Sequence, residues 1–441
     1  MNVNEHDSMM KNWIMTSRTQ KNECYVYISL PEQTQAVTAG RFVLTTDKFG
    51  APLGRFIYGK HYLERPDAVA IDPVELKLTS QTYETRALQG IFGSLRDAGP
   101  DYWGRRIIEQ YSGKPIQSEL DYLLFSPDDR AGALGFGLNV TPPAPKYSFN
   151  QTLDLEKLQK IADAIVNEEE THATTSHHQV QNLLLIGTSM GGARPKAVVE
   201  DKHGLWLAKF NRQDDKWNQA RVEHAMLVLA RRAGLKTAES KIADMGGRDV
   251  LLVKRFDRDK TSEGYLRARM ISALTLLHAE DTYQSRNRWS YISLVEELRR
   301  ISDQPENDAA ELFRRMCFNA LISNTDDHPR NHAVIAREKS WRLSPAYDLT
   351  PFPLISKERR DLAMTCGDQG RFANAENLLS QHARFLLEQE QAKNMLLEME
   401  RFIKNHWFAI ARAEGVSSTD CDKIAPAFVY PGFSNDSNAL R

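Results

Sequence analysis

The chain has 441 residues, 41% hydrophobic and 26% charged, with 57 Lys and Arg against 58 Asp and Glu. That length favours two to four domains, the ordinary composition excludes a disordered or fibrous chain, and the charge balance gives no whole-protein footprint for naked nucleic acid. Cys24, Cys317, Cys366 and Cys421 form no Cys-x-x-Cys pair, the first twenty residues lack a signal-peptide core, and no apolar run reaches a membrane span, so a soluble cytoplasmic protein in a reducing compartment is expected.

In chain order, Tyr25–Leu30 is rich in β-branched and aromatic residues and stops at Pro31, which predicts a strand. Arg41–Thr45 and Leu53–Tyr58 predict two more, the second entered through the turn Phe49-Gly50-Ala51-Pro52. Tyr102–Tyr111 reads as a helix with Trp103, Ile107 and Ile108 on one face. Thr141-Pro142-Pro143-Ala144-Pro145 can continue neither a helix nor a central strand and sets the first boundary. Leu153–Val166 predicts a further helix. From Asn167 to His178 there is no apolar period. His172, His177 and His178 stand there without a second ligand cluster, which fits a solvated loop rather than a metal site.

The chemistry-bearing segments come after His178. Gly187-Thr188-Ser189-Met190-Gly191-Gly192-Ala193-Arg194-Pro195-Lys196 is a glycine-rich loop following an apolar run, and glycines let backbone N–H groups approach an anion. It is neither GxxxxGK[ST] nor GxGxxG, so alone it is also an ordinary turn. A hairpin follows, with Leu205–Phe210 as its second strand and Lys209 inside that apolar run. Such a lysine either snorkels outward or meets an anion. The helix expected from Asn218 buries Val222, Ala225, Met226, Leu229, Ala230 and Ala233 and stops at Gly234. Glu223, near its start, either reaches the Lys209 ammonium or is a solvated first-turn acid. Val250–Asp257 is a buried strand ending in charge. In a kinase layout Lys254, Arg255 and Phe256 would be the hinge that holds adenine; the local sequence equally allows a solvated strand exit.

Asp308–Ser323 predicts a helix with Leu312, Phe313, Met316, Cys317, Ala320 and Leu321 at helical spacing. It leads into Asn324-Thr325-Asp326-Asp327-His328-Pro329-Arg330-Asn331, two short strands (His332–Arg337 and Trp341–Leu343) and Pro345-Ala346-Tyr347-Asp348-Leu349. Helix, polar loop, hairpin and a following acid is the order of a kinase catalytic segment. Magnesium held against a triphosphate needs one or two carboxylates with amide oxygen and water. Asp326 and Asn331 have the Asp-x-x-x-x-Asn offset, so Asp326 is assigned to the acceptor hydroxyl, Asn331 and Asp348 to metal, and Arg330 and His328 to phosphate oxygens. Pro329 argues against a helical zinc pair of His328 and His332. The ordered pieces point to phosphoryl transfer.

Gly187–Lys196, Leu252–Arg258 and Asn324–Asn331 with Ala346-Tyr347-Asp348 resemble the HipA-like serine/threonine protein kinases, the toxins of bacterial type II toxin–antitoxin modules. The early strands and Gly90–Asp97 look, more loosely, like that family's small N-terminal subdomain. The resemblance implies a two-lobed, kinase-like α+β fold. It divides into an N-terminal subdomain over 1–145, a mixed α/β lobe with glycine loop and lysine over 146–262, and a mainly helical lobe over 263–441. It implies ATP and Mg²⁺, with Gly191, Gly192, Ala193, Arg194, Pro195 and Lys196 along the triphosphate and Lys209 on the α/β-phosphates. Lys254, Arg255 and Phe256 would hold adenine, and His328, Pro329, Arg330, Asn331, Tyr347 and Asp348 would complete the ATP and metal site. Asp326 matches the catalytic aspartate and Ser189 the autophosphorylated loop serine. The implied partners are a translation-related protein substrate, such as an aminoacyl-tRNA synthetase, and a HipB-like helix-turn-helix antitoxin through which operator DNA is reached. Asp327 and Pro329 depart from the smaller residues, and Arg330 from the lysine, expected in that loop; Asp348-Leu349 is not Asp-Phe-Gly. A small-molecule phosphotransferase and a non-catalytic co-repressor are the competing expectations.

Overall fold

A computed structural model describes residues 22–112, 116, 118–145, 149–166, 194–245, 248–353 and 356–434. Period-two alternation builds the first sheet. β1 (Glu23–Ser29), β2 (Ala36–Thr46) and β3 (Pro52–Tyr58) pair antiparallel in sequence, and in β3 Phe56 and Tyr58 face inward while Arg55 and Ile57 face solvent. β4 (Tyr83–Thr85) extends β3. Helices α1 (Tyr102–Ser112) and α2 (Glu119–Phe125) follow, and β5 (Leu134–Gly137) returns beside β1, giving the order β4-β3-β2-β1-β5. Gly54 and Gly90 cross so closely that a Cβ on Gly54 would stand 1.9 Å from the Gly90 carbonyl oxygen, so this crossing admits no side chain.

The second sheet contains β6 (Asn150–Gln151), β7 (Lys196–Asp201), β8 (Gly204–Phe210), β9 (Ser240–Met245) and β10 (Arg248–Lys254), in the order β6-β7-β8-β10-β9. Alternation in β8 sends Trp206, Ala208 and Phe210 to one face. They share a core there with Leu155, Leu158 and Ala162 of α3 (Leu155–Val166) and with Trp103 and Ile107 of α1. Leu205, Leu207 and Lys209 take the opposite face, so the lone lysine of the strand looks into the space below the sheet. Helix α4 (Gln219–Arg232) begins where the Asn218 side chain accepts the Arg221 N–H at 3.1 Å, and ends before Gly234 at φ +94°. Its Val222, Met226 and Leu229 share a core with Leu251 and Val253 of β10.

Two hairpin strands, β11 (Arg258–Thr261) and β12 (Gly264–Arg267), lead to the helical lobe. There β13 (Arg269–Ser272), α5 (Tyr291–Ile301), α6 (Pro305–Leu321), β14 (Ala333–Ala336), β15 (Arg342–Leu343) and α7 (Gln389–Ala413) follow in order. α6 is the central helix, with Leu312, Phe313, Met316, Phe318 and Leu321 all inaccessible to solvent. It starts three residues before the sequence expectation because Pro305 occupies its first position, where a missing N–H costs nothing. The β14–β15 hairpin is as expected, and β13, more than sixty residues upstream, joins it with Arg269 opposite Ala336. Among the described residues no helix is long and apolar enough to cross a membrane.

Candidate active site

Lys209, Glu223 and Asp348 come from β8, α4 and the segment after β15, and they meet in the cleft between the lobes. The Lys209 ammonium lies 2.6 Å from Glu223 Oε1 and 2.7 Å from Asp348 Oδ1. Burial opposes its charge, but the two carboxylates outweigh that cost and raise its pKa. Burial likewise works against ionising Asp348, and the Lys209 charge overcomes it and holds the carboxyl below the usual range. Lys209 therefore meets anions instead of snorkelling, and Glu223 is its partner on the helix. Two backbone hydrogen bonds bring the acid there: Ala346 N donates to Lys236 O at 2.8 Å, and Ala238 N donates to Ala346 O at 2.9 Å. Asp348 itself adopts φ +59°, a left-handed conformation that a non-glycine residue holds only where its surroundings impose it.

The loop Asn324–Asn331 reaches the same cleft through Asn331. Burial raises the Asp326 pKa; His328 works against the rise, and the charges of Asp348, Asp327 and Asp281 add to it. Asn331 donates its amide to the Asp326 carbonyl at 3.2 Å. Among the described residues neither Asn331 Oδ1 nor Asp348 Oδ2 accepts a hydrogen bond, so an amide oxygen and a carboxylate oxygen remain as hard donors facing one cleft. That donor set fits magnesium, which needs few protein ligands when phosphate and water supply the rest. Asp327 is spent differently. It is buried, accepts from His332 Nε2 at 2.8 Å and from the Tyr291 hydroxyl, and so braces the loop from beneath. His332 is thereby engaged away from His328, and among the described residues no group of three His, Cys, Asp or Glu is placed to hold a metal.

One end of the cleft is apolar. Leu207 and Val253 line it with Phe256 and Tyr347, whose ring centroids lie 5.6 Å apart, and Tyr347 donates its hydroxyl to the Arg330 carbonyl at 2.8 Å. Lys254 and Arg255 border the same cleft, yet their side chains end elsewhere. Lys254 pairs with Glu239 at 3.0 Å, and the Arg255 guanidinium runs to the carboxylate of Asp257 and to the Asp129 and Arg130 carbonyls. The other cations assigned to phosphate are also held by acids: Arg194 by Asp215 through two hydrogen bonds, Arg330 by Asp281 at 2.8 Å, and buried Lys196 by Asp101 at 2.5 Å. Such pairing is what a low-dielectric site demands of each charge. Pro329 is buried within the loop. Ser189, Gly191, Gly192 and Ala193 lie outside the described residues, as do His172, His177 and His178.

Sequence reasoning missed Asp101. One of its oxygens accepts the Gly104 N–H at the start of α1, the other meets Lys196, and Lys196 sits opposite Lys209 in the β7–β8 register. The apolar strand around a lysine gave a signal for Lys209; nothing local marks an acid 95 positions upstream as the partner of Lys196.

A β-sheet lobe carrying the paired lysine, followed by a mainly helical lobe carrying Asp326 and Asp348, gives the chain the two-lobed fold of protein kinases. Residues 188–407 match the HipA-like C-terminal domain family. The fold is shared with HipA in a solved complex of HipA, HipB and operator DNA from Shewanella oneidensis. The TM-score is 0.66 at 16% identity, covering 91% of this chain and 94% of that one. Two relatives are similar in sequence. "Putative kinase Y4mE" of Sinorhizobium fredii is 27% identical over 138 residues, 29% of this chain and 31% of the relative. "Putative kinase" of Haemophilus influenzae is 23% identical over 222 residues, 45% of this chain and 64% of the relative. The chain thus spans less than two thirds of the length of either.

Proposed function

We propose that the protein is an ATP- and Mg²⁺-dependent protein serine/threonine kinase. It transfers the γ-phosphate of ATP to a hydroxyl of a translation-related protein, such as an aminoacyl-tRNA synthetase, and to its own Ser189. The observation that carries this reading is the meeting of Lys209, Glu223 and Asp348 from three distant segments. Held by Glu223, Lys209 presents a fixed positive charge to the α/β-phosphates. Asn331 and Asp348 would hold Mg²⁺, which neutralises phosphate charge when bound. Asp326 orients the acceptor hydroxyl and takes its proton. As the hydroxyl oxygen bonds to the γ-phosphorus, the bond from that phosphorus to the β–γ bridging oxygen breaks and ADP leaves. His328, which lies close to both Asp326 and Asp348, stabilises the transferring oxygens. A HipB-like antitoxin is the proposed regulatory partner, and operator DNA is reached through it; the shared fold with HipA supports this.

Incubation with labelled ATP tests the reading. Wild-type protein is expected to incorporate phosphate, chelation of Mg²⁺ to stop it, and Lys209→Met to slow it by about 10²–10³-fold. Label confined to a metabolite, or equal labelling with Lys209→Met, would reject the proposal. In the same assay Ser189→Ala should abolish self-labelling while an external protein acceptor is still modified. A phosphate of roughly −2 charge in that loop competes with those of ATP, so removing the serine should also prevent the slow loss of nucleotide affinity during incubation. Mass spectrometry finding the phosphate elsewhere would remove Ser189 from the account.

A further inference from the structure

A second cleft, of about 700 Å³, opens between the residues that precede α4, the segment that follows Asp348 and residues 423–431. Its wall is mainly apolar, with Trp217 on one side and Phe428 and Tyr430 on the other, and its size suits several side chains rather than one. Its charge is one-sided. Lys216, Lys357, Arg360 and Lys423 line it and no carboxylate does, in a chain whose acids and bases otherwise balance at 58 and 57. Lys216 and Lys357 are exposed at the rim and enter no ion pair among the described residues, whereas Lys423 is neutralised by Asp420 at 3.1 Å. The floor is tied to the catalytic loop. Arg360 lies under the Tyr430 ring, 4.7 Å from its centroid, and donates at 2.6 Å to the hydroxyl of Ser323, three residues before Asp326. Three residues span at most about 11 Å, so a chain segment seated in the cleft can reach Asp326 within a few residues.

We propose that this cleft docks the protein acceptor through a segment in which apolar side chains are flanked by aspartate or glutamate. The inference rests on the kinase reading above and names the class of substrate it selects. The apolar side chains fill the space between Trp217 and Phe428, and the flanking carboxylates meet Lys216 and Lys357 at the rim. Two rim cations on a mainly apolar wall are few for nucleic acid, which engages phosphates with many Lys and Arg, and they suit an amphipathic peptide.

The test uses the full chain and short fluorescent peptides followed by anisotropy. One peptide carries a central Leu-Phe pair between glutamates, a second carries lysines in place of the glutamates, and a third has serines in place of Leu-Phe. The first should bind best. Lys216→Glu with Lys357→Glu should weaken it about tenfold, as loss and reversal of two rim pairs predicts, and raised salt should weaken it too. ATP affinity, measured separately by calorimetry, should stay unchanged in that double variant. Equal binding of the lysine peptide, of the serine peptide or of a single-stranded oligonucleotide would overturn the proposal, as would indifference to the double substitution or no binding of the acidic peptide. Peptide binding in a wild-type protein that takes up no ATP would count against the kinase reading and not against the cleft.

Discussion

Asp326→Asn is expected to lower phosphoryl transfer by about 10²–10⁴-fold, the usual contribution of a positioned general base, while leaving nucleotide affinity nearly unchanged. The substitution keeps the shape of the side chain and removes only its capacity to take a proton. It also lifts a charge that burial and the neighbouring acids Asp348, Asp327 and Asp281 already disfavour, so the fold should be no less stable. Asp348→Asn should behave differently. Its carboxylate touches the Lys209 ammonium at 2.7 Å, so its loss weakens both the grip on metal and the placement of the lysine, and ATP affinity falls together with rate. Single-turnover labelling with calorimetric ATP titration separates the two patterns. A pair of variants with identical profiles would mean that residues 326 and 348 do not divide the roles of base and metal ligand.

The second large effect is on stability. Asp257 is fully buried and accepts from Arg255 Nε at 3.0 Å, Arg255 Nη2 at 2.7 Å, Arg258 Nη1 at 2.8 Å and Gly132 N at 2.9 Å. Asp257→Ala would strand two guanidiniums in the interior and should cost about 3–5 kcal/mol in urea denaturation, the penalty of breaking a buried pair. Burial alone would raise the Asp257 pKa. The two arginine charges overcome this and hold it well below the usual aspartate range. A depressed carboxylate contributes its stability in full above its unfolded pKa of about 3.9 and loses it as pH falls towards the folded value. The gap between wild type and Asp257→Asn should therefore be widest at neutral pH and narrow below about pH 4. A gap below about 1 kcal/mol, or one that does not change with pH, would show that the arginines find other partners.

The parts of the site that follow local order were legible in the sequence. A lysine in an apolar strand, a glutamate one helix later, and an Asp-x-x-x-x-Asn loop followed by a hairpin and an acid each leave a mark within a few residues. Lys209, Glu223, Asn331, Tyr347 and Asp348 accordingly sit around one cleft, with Asp326 at its edge. The partners of charges were not legible. Arg255 reads as a hinge residue, and only the folded chain shows that its guanidinium belongs to Asp257 and to carbonyls 125 and 126 positions away. Asp327 stands in the sequence only as a departure from a smaller loop residue, and its burial against His332 and Tyr291 shows that it braces the loop. β13 was missed for the same reason. Four residues carry little periodicity, and what makes them a strand is a partner more than sixty residues downstream.

Trp103 and Ile107 of α1 fill the back of the β7–β8–β10 sheet, although they precede the Thr141–Pro145 break that marks a boundary by composition. A protease cut in that proline-rich stretch would accordingly not yield two separable pieces. A C-terminal fragment produced on its own would expose the rear of the strand that carries Lys209 and would aggregate through it, while the nicked chain would stay associated and keep its shape.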